Sequence, residues 1–67
     1  MLIIYTTANC PNCHRQMAEW KKANIAYAEK PIQDLLEDGE LLTDYIVKHN
    51  GEWPMQAPVI LDNGVWQ

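Results

Sequence analysis

The chain opens on Leu2-Ile3-Ile4-Tyr5-Thr6, a run of β-branched and aromatic residues without polar alternation. That pattern predicts a strand covered on both faces and therefore central in its sheet. Thr7-Ala8-Asn9-Cys10 reads as a turn. Pro11 suits the first helical position, where its missing N–H removes a donor that has no partner anyway. From Pro11 to about Ala23 the apolar residues Cys13, Met17, Trp20 and Ala23 are spaced 4, 3 and 3 apart, with Arg15, Glu19, Lys21 and Lys22 between them. This is one core-facing stripe of a helix. Asn24 is a helix stop, and Ile25-Ala26-Tyr27-Ala28-Glu29 reads as a second strand with Ile25 and Tyr27 on one face. Strand, helix and strand in this span predict a βαβ unit with parallel strands and a right-handed crossover.

Lys30-Pro31 interrupts the pattern, and a second helix is predicted within Gln33 to His49, with Leu35, Leu41, Leu42, Tyr45, Ile46 and His49 on its apolar side. Gly39 is a weak point in it or a second start. Its acids, Asp34, Glu37, Asp38, Glu40 and Asp44, read as a solvated outer face, because they lack the ligand spacing and mid-loop glycine of a calcium loop. Asn50-Gly51-Glu52-Trp53-Pro54 is a loop, Val59-Ile60-Leu61 a short buried strand, and Asp62-Asn63-Gly64 a tight turn, since Asn and Gly accept positive φ. Val65-Trp66 then returns antiparallel. The order β, α, β, α, β, β predicts a single α/β domain over residues 1–67 with a four-stranded mixed sheet. There are no repeats, linkers or low-complexity segments.

Length and charge narrow the function classes. Sixty-seven residues hold one small core, since a chain of this size buries only about 60% of the surface its unfolded form exposes. Hydrophobic residues make up 48% and charged residues 21%, a globular balance. Nine acids against five Lys and Arg leave a net charge of −4, which argues against binding nucleic acid or an anionic membrane. No apolar run approaches the roughly 18 residues that cross a bilayer, and residues 1–5 are too short for a secretory core. The expectation is a soluble chain in a reducing cytoplasm.

Cys10 and Cys13 carry the candidate chemistry. A bridge between them closes a four-residue loop and is a poor staple, so the pair asks for a chemical reason. A Cys-x-x-Cys directly after a strand and opening a helix is a thioredoxin-like redox signature. With Pro11 at the first helical position, Cys10 falls at the N-cap, where its sulfur can accept from the N–H groups of Asn12 and Cys13. Those donors and the positive end of the helix dipole favour thiolate over thiol. Cys10 is thus expected to be an exposed nucleophile, and Cys13, one turn deeper on the apolar stripe, the resolving thiol. His14 could tune the thiolate by charge, and Arg15 could attract an anionic partner, although both also read as ordinary surface residues.

Rival readings use the same atoms. Cys10-Pro11-Asn12-Cys13-His14 matches the pattern for covalent haem attachment, although that chemistry needs export. A zinc or iron–sulfur module needs more ligands than one Cys-x-x-Cys supplies, and for zinc His14 and His49 would have to complete the set. A non-catalytic interaction module using the same cysteines is a further alternative, and an inert buried pair is the blandest reading. A second constellation is Gln56-Ala57-Pro58-Val59, where a proline at the mouth of a strand must mark an edge, a start or a bulge. A cis Ala57-Pro58 bond would place Ala57 beside the Cys10 sulfur with its backbone free to pair with an extended substrate.

Together, Ile4-Tyr5-Thr6 leading to Cys10-Pro11-Asn12-Cys13-His14, then Gln56-Ala57-Pro58-Val59, then Val65-Trp66, resemble the glutaredoxin branch of the thioredoxin-fold superfamily, and within it the NrdH-type redoxins. The likeness in element order covers residues 2–66. It implies a minimal thioredoxin-like fold without the family's C-terminal helix. It further implies a cytoplasmic dithiol–disulfide oxidoreductase of electron-transport type, serving redox homeostasis and deoxyribonucleotide synthesis. Cys10 would be the nucleophile, Cys13 the resolving thiol, Pro58 the cis-proline, and Pro11, Asn12 and Ala57 contacts to substrate. No cofactor beyond the Cys10–Cys13 disulfide is required. Partners implied are a disulfide-bearing protein such as ribonucleotide reductase, and thioredoxin reductase or glutathione as reductant. Asn12 stands where the family usually has Tyr, and no Gly-Gly motif follows, which tilts the resemblance away from glutathione. The missing final helix would leave part of a sheet face bare and favour a homodimer or a partner there.

Overall fold

A computed structural model describes all of residues 1–67. It has seven elements: β1 (Leu2–Thr6), α1 (Pro11–Lys22), β2 (Ala28–Pro31), α2 (Ile32–Glu37), α3 (Gly39–Lys48), β3 (Val59–Asp62) and β4 (Val65–Trp66). The protein is α/β, with a four-stranded mixed sheet in the order β2-β1-β3-β4. β1 pairs parallel with β2 and antiparallel with β3, which pairs antiparallel with β4. The expected central strand is therefore central. No helix is long and apolar enough to cross a membrane.

The sheet separates two apolar clusters, and strand alternation decides which residue joins which. Ile4 and its cross-strand partner Ile60 belong to the α1 side, with Cys10, Cys13 and Met17, and with Trp20 and Tyr27 packed at the margin. Their neighbours Tyr5, Val59 and Leu61 form the opposite cluster around Leu35, closed by Ile32, Leu41, Tyr45 and Trp66. The predicted α1 stripe holds for Cys13 and Met17, which are buried, and for half-buried Trp20, but Ala23 is exposed and caps the helix. On the α1 side, β4 presents an exposed Val65 beside a half-buried Ile60.

Two boundaries differ from the sequence expectation. β2 runs over Ala28–Pro31 rather than Ile25–Glu29: it takes in the Lys30-Pro31 expected to interrupt it, and it starts late because the chain just after α1 is committed to ending the helix. Asn24 takes positive φ, and the Ile25 N–H reaches back to the Trp20 carbonyl at 2.8 Å. That capping geometry satisfies terminal carbonyls and leaves Ile25 exposed instead of paired in the sheet. Asn50 and Gly51 end α3 by the same device, the Gly51 N–H bonding the Ile46 carbonyl at 2.8 Å. Within the helical stretch expected over Gln33–His49, the second start offered at Gly39 is the one adopted, so the order gains one element. The break falls at Asp38, whose carboxylate accepts from the Leu41 N–H at 3.1 Å and caps α3, making Gly39 the first residue of a new helix. The turn between β3 and β4 has positive φ at Asn63 and Gly64, as the Asn-Gly pair predicts.

The acidic face is solvated at Asp34, Glu37, Asp38 and Glu40, but not uniformly. Asp44 is half-buried, accepts the Trp66 indole N–H at 2.8 Å, and pairs with Lys48 at 3.2 Å. Those bonds, the Trp66 one first, hold the Asp44 carboxyl below its ordinary pKa. They tie the two-residue strand β4 to α3, together with the edge-to-face contact of Trp66 on Tyr45.

Candidate functional site

The chain leaves β1 at Thr6 and turns through Asn9, at positive φ, into Cys10. Cys10 is extended and occupies the N-cap of α1, with Pro11 as the first helical residue. Pro11 cannot donate, and its fixed φ suits the first turn, so the local sequence alone aims the Cys10 side chain at the helix start. The Cys13 N–H donates to Cys10 Sγ at 3.1 Å. The Asn12 N–H does not reach the sulfur, so the cap uses one of the two donors expected from the sequence. The Cys10 carbonyl accepts from the His14 N–H at 3.2 Å and starts the helical ladder.

Cys10 and Cys13 are joined as a disulfide with their Cα atoms 5.3 Å apart. Their side chains converge, as attack and resolution through one pair of sulfurs require. Cys10 departs from expectation in its exposure. It retains 7% of its surface and counts as buried, against 1% for Cys13. The cause is that Cys10 and Cys13 share a cluster with Ile4 and Met17, against which Ala57 packs, and a one-dimensional pattern does not reveal this. The ordering of the two cysteines survives: Cys10 keeps the larger opening to solvent and Cys13 lies beneath it.

The second constellation is brought to the first. The Ala57–Pro58 peptide bond is cis, and half-buried Ala57 packs against the cysteine cluster. No backbone hydrogen bond uses the Ala57 N–H or C=O. Pro11 and Asn12 lie exposed on the loop that the disulfide closes. His14 and Arg15 are also exposed, and neither side chain makes a hydrogen bond or ion pair.

The zinc set considered from the sequence is not assembled. His49 lies on the other side of the sheet, stacked on Tyr45 with ring centroids 3.8 Å apart and its Nδ1 against the Tyr45 carbonyl at 2.7 Å. No group of three or more His, Cys, Asp or Glu side chains is arranged to hold a metal ion. The sequence reading missed the surface next to Ala57, where Trp53 and Met55 stand exposed on either side of buried Pro54. The available signal was two large apolar residues in a loop otherwise made of Gly, Glu, Gln and Pro. Compared with known proteins, the chain matches no protein-family model, no curated protein and no solved structure.

Proposed function

We propose that this protein is a dithiol–disulfide oxidoreductase of thioredoxin-like fold, a small cytoplasmic redoxin of the glutaredoxin and NrdH kind. The observation that carries the reading is the sulfur of Cys10 at the N-cap of α1, accepting the Cys13 N–H while lying within bonding distance of the Cys13 sulfur. An amide donor and the positive helix end stabilise the thiolate over the thiol, and the thiolate is the nucleophile in disulfide exchange. Burial of Cys13 disfavours its ionisation, so the first attack falls to Cys10.

In the reduced protein the Cys10 thiolate attacks one sulfur of a substrate disulfide. A Cys10–substrate disulfide forms, and the other substrate sulfur leaves as a thiolate that takes up a proton. Cys13 then loses its proton and attacks Cys10 Sγ, expelling the second substrate thiol. The substrate gains two electrons and two protons, and the protein is left as the Cys10–Cys13 disulfide. Pro11, Asn12, Ala57 and Pro58 are the substrate contacts of this reading; Pro11 and Asn12 lie exposed between the two cysteines, and Ala57 packs against their cluster. Thioredoxin reductase or glutathione returns the protein to the dithiol, and ribonucleotide reductase is the acceptor that the resemblance suggests. The chemistry calls for no cofactor besides the disulfide itself.

The test is reduction of hydroxyethyl disulfide and of insulin by the full chain, with NADPH and thioredoxin reductase in one arm and glutathione in the other. Cys13→Ser is expected to accumulate a covalent adduct at Cys10 with the mass of the protein plus half the disulfide. A reduced protein that exchanges with neither substrate, or that holds zinc or iron through both sulfurs in native mass spectrometry, refutes the reading.

A further inference from the structure

The loop between α3 and β3 presents two large exposed apolar side chains, Trp53 56% and Met55 84% exposed. Together with Tyr45, Glu52, Ala57 and Pro58 they line an open groove of about 820 Å³. Its lining includes Ala57, which packs against the cluster of Ile4, Cys10, Cys13 and Met17. Along it the N–H groups of Trp53, Met55, Gln56 and Ala57 have no hydrogen-bond partner within the fold. Unpaired backbone donors in an irregular segment are a template for an extended chain, which supplies main-chain hydrogen bonds while its side chains settle in flanking pockets.

Charge narrows the occupant. Glu52 is the only charged residue lining the groove, and none of the chain's five cations reaches it. An approaching Lys or Arg is attracted there and a carboxylate repelled. Glutathione offers two carboxylates and no apolar side chain beyond its cysteine, so it matches neither the charge nor the Trp53–Met55 surface. A protein segment carrying an apolar residue and a cation matches both. Trp is a frequent anchor in interfaces, and the flexible Met thioether adapts to apolar shapes of different outline.

Resting on the redox reading above, we propose that this groove selects the protein's substrates. It receives the extended segment flanking the target cysteine, with a large apolar side chain against Trp53 and Met55 and a Lys or Arg facing Glu52.

The experiment uses the oxidised full-length chain and fluorescein-labelled peptides in which serine replaces the target cysteine, so that binding is read without exchange. One peptide carries Leu and Arg beside that serine, a second Leu and Glu, a third two further serines. Fluorescence anisotropy is expected to show the Leu/Arg peptide bound about tenfold more tightly than the all-serine peptide, as loss of one apolar anchor allows. Trp53→Ser/Met55→Ser should remove that preference, and Glu52→Lys should transfer it to the Leu/Glu peptide. Glu52 is exposed, so this second variant decides the matter if the double variant fails to fold. With the same flanks on peptide disulfides, the ratio of kcat/KM for Leu/Arg peptide to that for hydroxyethyl disulfide should fall in the double variant. Equal affinity of the wild type for all three peptides overturns the proposal. So does a wild-type dimer that dissociates on Trp53→Ser, since a second copy of the chain then fills the groove. Selective binding by a protein that reduces neither disulfide supports the groove and refutes the redox reading alone.

Discussion

Replacing Cys10 by serine and by alanine separates its covalent role from its role as a helix cap. Both variants lose the disulfide. Closing a four-residue loop stabilises the fold by about 2 kcal/mol in the chain-entropy account, and that loss is common to the pair. Only alanine also loses the acceptor that now takes the Cys13 N–H at 3.1 Å. Serine places an oxygen where the sulfur was, and the 7% opening at Cys10 gives the hydroxyl hydrogen access to water. An N-cap replaced by alanine costs about 0.5–2 kcal/mol, so Cys10→Ala should be less stable than Cys10→Ser by about 1 kcal/mol. A chain of this size has about 3–10 kcal/mol of stability in total, so the difference is a sizeable fraction of it. It corresponds to a Tm difference of about 4–8 °C. Urea unfolding followed by far-ultraviolet circular dichroism should show the two midpoints apart with a common slope. Equal midpoints would mean that the side chain at position 10 does not cap α1. The amide donor credited with stabilising the thiolate would then be absent, and the argument for Cys10 as the nucleophile would fail with it.

Other predictions test the framework around the site. Leu35→Ala empties the centre of the cluster opposite the cysteines, where Leu35 has 0% exposure, and should cost about 2–5 kcal/mol; Leu36→Ala, one position along and 37% exposed, should cost under about 1 kcal/mol in the same urea titration. Burial, and then the carboxylates of Asp38 and Asp34, push the Tyr5 phenol above its ordinary value of 10.0. Its contribution to stability is intact below that pH and is lost as the pH rises through the folded-state pKa, so Tyr5→Phe should flatten the alkaline limb of the stability profile. The Trp66 and Lys48 hydrogen bonds lower the Asp44 pKa. That stabilisation is present above the ordinary carboxyl value and disappears as the pH falls through the lowered one. In acid titration by nuclear magnetic resonance the Trp66 indole N–H signal should move with Asp44, and Asp44→Asn should abolish the movement.

Much of the scaffold follows from local patterns. The apolar run Leu2–Tyr5 is enough to make β1 central, because a sequence without polar alternation suits a strand covered on both faces. Pro11 after Cys10 is enough to start α1 at the cysteine, and Asn63-Gly64 to turn β3 into β4. The error and the open choice lie where two local signals compete. Ile25 has strand propensity, but its N–H is used to cap α1; the choice at Gly39 between a weak point and a second start was left open by the sequence, and the Asp38 carboxylate decides it by capping a new helix. Neither contest can be judged from periodicity, which registers side-chain hydrophobicity and is silent on where backbone donors find acceptors.

What the sequence determined by itself is the placement of two thiols three positions apart at a helix start, because Pro11 and the preceding strand dictate that geometry over a handful of bonds. Three further features were decided only by the tertiary structure. Ala57 packs against the cluster that holds cysteines more than forty residues earlier in the chain, Cys10 retains only a narrow opening, and Trp66 reaches Asp44 across 22 residues. Each depends on strand register and on which face a helix covers. Those follow from the packing of the whole chain, and no window of neighbouring residues contains them.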